Sequence, residues 1–288
     1  MSTLKNSFAP FDAALVQSFE ANITAALAED VGSGDVTGRL VPENEWVKAT
    51  VTVREAAILC GAPWFEGVMK QVDQRIRIDW KYAEGDMMAA DTIACSIEAP
   101  ARALMTAERS ALNFLQLLSA VASATRRYVD VIQGTRSVIL DTRKTLPGLR
   151  QAEKYAVRVG GGVNHRMALY DAMLIKENHI AAAGGITAAM RAAQALDAGV
   201  PIQIETETLD ELREALAAGA TSILLDNFNL GDMRAAVDIS GGRAVLEASG
   251  GVNMETVRAI AETGVDRISI GSLTKDVRAT DYSLRVIG

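Results

Sequence analysis

Set against a common domain size of about 150 residues, the 288-residue chain suggests one large domain or two smaller ones. A composition of 49% hydrophobic and 23% charged residues supplies a buried core and excludes intrinsic disorder. The net charge of −7 offers no global field for nucleic acid or an anionic membrane, so neither partner is expected and any anion site must be local. The N-terminal MSTLKNSFAPFDAAL has neither the basic start nor the continuous apolar run of a secretory signal, so export is not expected. Apolar side chains recur at helical intervals from Phe11 to Ala28. ATVTVREAAIL then alternates like a strand, and RIRIDWKY and TIACSIEA look like two more. These segments predict a small antiparallel or mixed sheet with covering helices. Cys60 and Cys95 stand 35 residues apart, and His165 and His179 are the other soft ligands. Neither a disulfide framework nor a structural zinc site is expected, and a reducing cytoplasm fits. A long helical pattern without Pro or Gly runs from Leu104 to Val131, and the domain boundary is placed within or just after it. Its uncharged part, Ser110 to Thr125, is too short and too polar to span a bilayer.

From Ser137 onward the pattern changes to short apolar runs, each closed by a polar residue or glycine and followed by a helix-compatible stretch. The runs are SVIL before Asp141, AMLI before Lys176, IQI before Glu205, SILL before Asp226, AVL before Glu247 and ISI before Gly271. Continuous apolar runs suit parallel strands buried on both faces. Spacings of 21, 21 and 24 residues between Glu205, Asp226, Glu247 and Gly271 fit one strand, one helix and two short loops. Six such units could form a doubly wound sheet or a barrel. The barrel is favoured because chemically active residues end almost every strand, and in a barrel those ends converge on one mouth.

The segment from Asp141 to His179 holds seven Lys or Arg against four Asp or Glu, a local balance of +3, and both histidines. Such an inversion of sign predicts an anionic ligand. Lys154 and Arg158 are read as the solvated face of a helix through LRQAEKYAVR, with Glu153 as a partner. Arg143, Lys144, Arg166 and Lys176 are not covered by that reading, because they lie at strand ends or in the turn GGGVNHR. Glu205 and Asp226 end adjacent strands, and hard oxygen ligands without Cys or His suit Mg²⁺. The competing reading makes them buried carboxylates satisfied by backbone donors or by Lys176. The loops EASGG (Ser249, Gly250, Gly251) and IGSLT (Gly271, Ser272) follow the last two strands, where barrels commonly bind phosphate.

The block DTRKTLPGLRQAEKYAVRVGGGVNHRMALYDAMLIKENH, together with AEDVGSGDVT, RSALNFLQLLS, ILLDNF and LEASGGV, resembles the quinolinate phosphoribosyltransferases over nearly the whole chain. The resemblance implies an α/β fold with an N-terminal α/β sandwich domain (residues 1–118) and a C-terminal incomplete (β/α) barrel (119–274), with the 275–288 tail packing back on the first. It also implies a homodimer whose sites are completed by the partner chain; whether such dimers assemble into hexamers stays open. The implied reaction joins quinolinate to phosphoribosyl pyrophosphate, releasing pyrophosphate and CO2 and giving nicotinate mononucleotide. By resemblance, Arg109, Arg143, Arg166 and Lys176, with His165 beside them, bind quinolinate. Lys144 and the loops Ser249–Gly251 and Gly271–Ser272 receive phosphates, and Glu205 and Asp226 hold the Mg²⁺–ribosyl pyrophosphate side. Lys144, Lys176, Glu205 and Asp226 are expected to carry the reaction, while His179 is as readily structural.

The sequence departs from the common family pattern at Arg109-Ser110-Ala111 (usually RTALN), at LSAVASAT (usually LSGIAT) and at IETET (where EVE is commoner). Three alternatives remain. A paralogue associated with molybdenum-transport loci shares the fold, but DTRKTLPGLR argues for quinolinate. A barrel aldolase or isomerase would use Lys144 or Lys176 as a Schiff base in a dry, apolar-walled pocket. A degenerate ligand sensor would have lost strand-end charges, which this chain keeps.

Overall fold

The computed structural model describes residues 3–42 and 45–287. The expected domain ends, Met1 and Gly288, and the first two residues of the N-terminal segment lie outside them. In chain order the elements are α1 (Ala13–Asp30), β1 (Trp46–Val53), β2 (Ala57–Ile58), α2 (Ala62–Val72), β3 (Arg77–Trp80), β4 (Met87–Met88), β5 (Thr92–Pro100), α3 (Ala101–Val131), β6 (Val138–Leu140) and α4 (Arg150–Val159). There follow β7 (Met173–Ile175), α5 (Glu177–Ala183), α6 (Ile186–Ala195), β8 (Ile202–Thr206), α7 (Leu209–Ala217), β9 (Ser222–Asp226), α8 (Leu230–Ser240), β10 (Val245–Ser249), α9 (Val257–Ala261), β11 (Arg267–Ser269), α10 (Ser272–Lys275) and β12 (Tyr282–Ile287).

The chain divides into two compact units. The first comprises Met1–Arg126, Thr145–Gly161 and Leu273–Gly288, and the second Arg127–Lys144 and Gly162–Ser272. The break therefore falls inside α3, eight residues past the expected 118, and the segment expected in the barrel at 145–161 belongs to the first unit. The reason is packing: Ala152, Tyr155, Ala156, Val157 and Val159 of α4 join one apolar core with residues of α2, α3, β1 and β5. In the first unit β12-β1-β5-β3 form an antiparallel sheet, with Val53 beside Tyr282 tying in the tail. Alternation along β1 buries Ala49, Val51 and Val53, as a strand with one face on a core requires. Against β5 the register slips between Val51 and Thr52, a bulge that leaves Ala94 and Cys95 both buried.

Lys154, expected on a solvated face, is fully buried, because α4 is covered from Ala152 to Val157 on all sides. Glu153 is buried too; its Oε2 accepts from the Leu146 N–H at 3.1 Å, and burial pushes its carboxyl up to about 7. Arg158 is exposed as expected, with its guanidinium 5.9 Å from the Tyr155 ring centre.

The second unit is a six-stranded parallel sheet in the order β6-β11-β10-β9-β8-β7. This unit's first strand, β6, lies beside its last, β11, which is the cyclic order of a barrel; a doubly wound sheet would reverse direction at a switch point. Among the described residues no ladder joins β6 to β7, so the barrel is incomplete at that seam. The outer edge of β6 instead receives a single parallel bridge, Leu140 to Val163. Apolar runs such as Ile223, Leu224 and Leu225 are buried, as strands covered on both faces require.

Candidate active site

Parallel neighbours in register point to the same side of a sheet, and side chains alternate along each strand. The register therefore sets Glu205, Leu224 and Glu247 on one face, and two residues further along sets Asp226 beside Ser249 on the same face. Gln203, two residues before Glu205, shares that face, as does Lys176, which follows β7 two residues after Leu174, the partner of Gln203. Of the expected site residues, Arg143, Lys144, Lys176, Glu205, Asp226, Ser249, Gly250, Gly251, Gly271 and Ser272 belong to the second unit, at or just beyond the C-terminal ends of its strands, and His165 and Arg166 belong to it in the segment between α4 and β7. Arg109 belongs to the first unit, exposed on α3.

The basic side of the mouth centres on Arg166. Its Nη1 donates to the Ala172 carbonyl at 3.0 Å. Desolvation, and then the nearby Arg143 charge, hold its guanidinium below the ordinary value, while Asp171 pulls the other way. Two cations brought together at some cost suit a ligand that brings compensating negative charge. Lys144 is exposed, its N–H donating to Thr142 Oγ1 at 3.0 Å. Its side chain passes over Gly271, where an added Cβ would come within 3.1 Å of Lys144 Cδ.

On the acidic side, Lys176 Nζ lies 3.4 Å from Glu205 Oε2. Burial raises the Glu205 carboxyl; the Lys176 charge lowers it, and the Asp226 charge raises it again. Of the two readings of Glu205, the buried carboxylate satisfied by Lys176 thus describes its present partner. A recess beside Glu205 is lined by Glu177, Ile180, Ala181, Glu207 and Glu211. Among the described residues no group of three or more His, Cys, Asp or Glu converges as a metal site. Two repelling carboxylates with hard oxygens do fit Mg²⁺, which takes one or two protein carboxylates and completes its shell with substrate oxygens and water. Lys176 is half-exposed and ion-paired, which is not the dry setting of a Schiff-base lysine.

Around the expected His165 is a polar network whose other members, Asp141, Asn164, Gln203 and Glu247, have no site role in the sequence reading. His165 N–H donates to Asp141 Oδ1 at 2.9 Å, and Asn164 Nδ2 donates to Asp141 Oδ2 at 2.6 Å. The His165 ring meets Gln203, whose Nε2 donates to Glu247 Oε2 at 2.9 Å. The legible signal for Gln203 was a polar residue inside the otherwise apolar run IQI. Asn227 was also unassigned. It adopts φ 56° just after β9, its N–H donates to the Ser249 carbonyl at 2.9 Å, and its Nδ2 donates to Asp226 Oδ2 at 2.9 Å. No sequence signal marked it beyond the tolerance of Asn for left-handed backbone. His179 accepts the Lys176 N–H through Nδ1 at 3.1 Å, a structural role at the start of α5.

An antiparallel-sheet unit and an incomplete parallel α/β barrel, with cations and carboxylates at the barrel's strand ends, define an enzyme of the phosphoribosyltransferase class. The chain belongs to the quinolinate phosphoribosyltransferase family: the family's N-terminal domain matches residues 35–119 and its C-terminal domain residues 121–285. It is 40% identical over 259 residues to the probable nicotinate-nucleotide pyrophosphorylase (carboxylating) of Bacillus subtilis strain 168, covering 90% of each chain. It is also 40% identical over 269 residues to the nicotinate-nucleotide pyrophosphorylase (carboxylating) of Mycobacterium leprae, covering 91% of this chain and 95% of that one. The nicotinate-nucleotide pyrophosphorylase structure from Francisella tularensis superposes with a TM-score of 0.91 at 43% identity, covering 94% of this chain and 96% of that one.

Proposed function

We propose that this enzyme transfers the phosphoribosyl group of phosphoribosyl pyrophosphate to quinolinate with decarboxylation, giving nicotinate mononucleotide, pyrophosphate and CO2 for NAD biosynthesis. Beyond family membership, the observation that carries this reading is the desolvated Arg166 held beside Arg143 on one side of the mouth, opposite in charge to Glu205 and Asp226 on the other. Arg grips a carboxylate through paired hydrogen bonds, so Arg143, Arg166 and Lys176 fix a flat diacid in one orientation. Glu205 and Asp226 would hold Mg²⁺ on the ribosyl pyrophosphate side, where it would supply charge neutralisation for the departing pyrophosphate. Lys144, with the loops Ser249–Gly251 and Gly271–Ser272, takes the phosphates, and its ammonium faces the charge that builds on the leaving group. Attack by the pyridine nitrogen on the ribose carbon, as pyrophosphate leaves, makes that nitrogen quaternary; its positive charge stabilises the electron pair left on C2 when the 2-carboxylate departs as CO2, and C2 then takes a proton from water to give nicotinate mononucleotide. No protein base is needed for the first bond, so neither histidine is given a proton-transfer role.

Arg109 serves the partner chain's site in a homodimer with shared active sites. A reducing, cytoplasmic setting agrees with the free, buried thiols of Cys60 and Cys95. No helix among the described residues is long and apolar enough to cross a membrane. The test is a coupled measurement of CO2 and nicotinate mononucleotide from quinolinate and phosphoribosyl pyrophosphate, with and without chelator. Equimolar products that vanish on chelation support the reading; no product with Mg²⁺ present contradicts it.

A further inference from the structure

Inside the barrel, level with Glu205 and two residues before Ser249 on the same strand face, Glu247 is fully buried on β10. Its Oε2 accepts from Gln203 Nε2 at 2.9 Å, while Oε1 has no hydrogen-bond partner and faces His165 Nε2 at 3.6 Å. A carboxylate enclosed this completely is costly unless its surroundings use its charge. Gln203 is also buried, and its Oε1 lies 3.0 Å from His165 Nε2. The other ring nitrogen, Nδ1, accepts the backbone N–H of Arg166 at 2.7 Å.

These contacts have one consistent proton arrangement. A backbone N–H can only donate, so His165 Nδ1 carries no proton and the ring's proton sits on Nε2. Nε2–H then donates to Gln203 Oε1, which leaves the Gln203 amide nitrogen to donate to Glu247. An acceptor-only carboxylate at 247 is what fixes that direction, because it admits the amide nitrogen and rejects the amide oxygen. The chain of contacts ends on the backbone of Arg166, whose guanidinium forms the cationic side with Arg143.

We infer that Glu247 and Gln203 are positioning residues: they set the direction and tautomer of the His165 ring, and the ring fixes the backbone from which Arg166 reaches the quinolinate carboxylates. Its consequence for catalysis rests on the quinolinate reading above; the ring geometry does not. The inference separates His165 from the residues that grip substrate directly, since both ring nitrogens face protein partners.

The chain has two histidines, His165 and His179, so a long-range ¹H–¹⁵N spectrum of the full-length enzyme resolves both rings, with His165→Gln identifying the first. The expected wild-type spectrum shows His165 protonated on Nε2. Glu247→Gln, which lets the 203 amide face either way, and Gln203→Leu, which removes the acceptor, should each free the ring to turn away from the Arg166 N–H and so turn that signature into a tautomer mixture. Each should also raise KM for quinolinate by about tenfold while KM for phosphoribosyl pyrophosphate stays within about twofold, since a small misplacement of a binding group is costly. Thermal melts identify a variant that has lost its fold, in which case the other decides. A proton on Nδ1 in the wild type, or folded variants that keep both the tautomer and the quinolinate KM, overturns the inference. A wild type with the Nε2 tautomer but no turnover of quinolinate contradicts the function reading and the catalytic consequence, and the tautomers of the variants still decide the ring geometry.

Discussion

Lys176 joins the two walls of the mouth, since its ammonium pairs with Glu205 at 3.4 Å while its position on the sheet face also suits a substrate carboxylate. Removing Glu205 or Asp226 therefore strips charge from the acidic wall and leaves the Arg143–Arg166 side standing. Glu205→Ala and Asp226→Ala should each weaken use of phosphoribosyl pyrophosphate and Mg²⁺ by about tenfold or more, with quinolinate binding nearly intact. Titration of quinolinate into each variant checks this; loss of diacid affinity with unchanged Mg²⁺ dependence would mean the two walls are assigned the wrong way round. In the first unit, Glu84 is buried and accepts from the Gly61 and Ala62 N–H groups at the start of α2 and from the Tyr155 hydroxyl. Burial dominates those hydrogen bonds and pushes its carboxyl from 4.5 up to about 7. Between those values the folded chain keeps a proton that the unfolded chain has released, so stability falls as pH rises through that window and levels off above it. Glu84→Gln should flatten part of this slope in denaturant unfolding from about pH 4.5 to 8; an unaltered slope counts against the assignment.

At the scale of elements, the parallel strands were legible because each announces itself as a short apolar run closed by a polar residue, as SILL before Asp226 does. The cyclic order that makes a barrel was anticipated from the chemistry at those ends, and the register then confirmed that Glu205, Glu247, Asp226 and Ser249 share a face. Helix α4 was misread because charge at i, i+4 resembles a surface helix, whereas Lys154 is buried. Nothing local in LRQAEKYAVR reports that a second layer covers its charged side. Asn227 was hidden for a related reason: its role lies in the loop it meets. Gly250 has φ 100°, and a Cβ there would fall on the Asn227 carboxamide and 3.1 Å from the Asn227 nitrogen. Gly250→Ala should thus displace the side chain that holds Asp226, raising KM for phosphoribosyl pyrophosphate by about ten- to a hundredfold, with a smaller change for quinolinate. Steady-state kinetics with each substrate varied in turn measures it, and an unchanged phosphoribosyl pyrophosphate KM contradicts the Asn227 bridge.

For the whole molecule, the residue that composition and spacing could not place is Arg109. On sequence alone it reads as a solvated helix charge, and it is exposed on α3 in the first unit. The shared-site reading gives it a function in the partner chain. Arg109→Ala and Lys144→Ala chains, each inactive alone, should then complement after subunit exchange: about half the dimers are mixed, each with one intact site, so roughly a quarter of wild-type activity returns. No recovery after exchange proven by mass measurement means that Arg109 acts within its own chain. In the proposed reaction the cations at the mouth answer the second carboxylate of quinolinate. Losing a charged partner costs a few kcal/mol, about two to three powers of ten in rate. The most direct measurement is kcat/KM for quinolinate against nicotinate under identical phosphoribosyl pyrophosphate and Mg²⁺. A preference for quinolinate of roughly a hundred- to a thousandfold is the predicted result; equal turnover of nicotinate would contradict it.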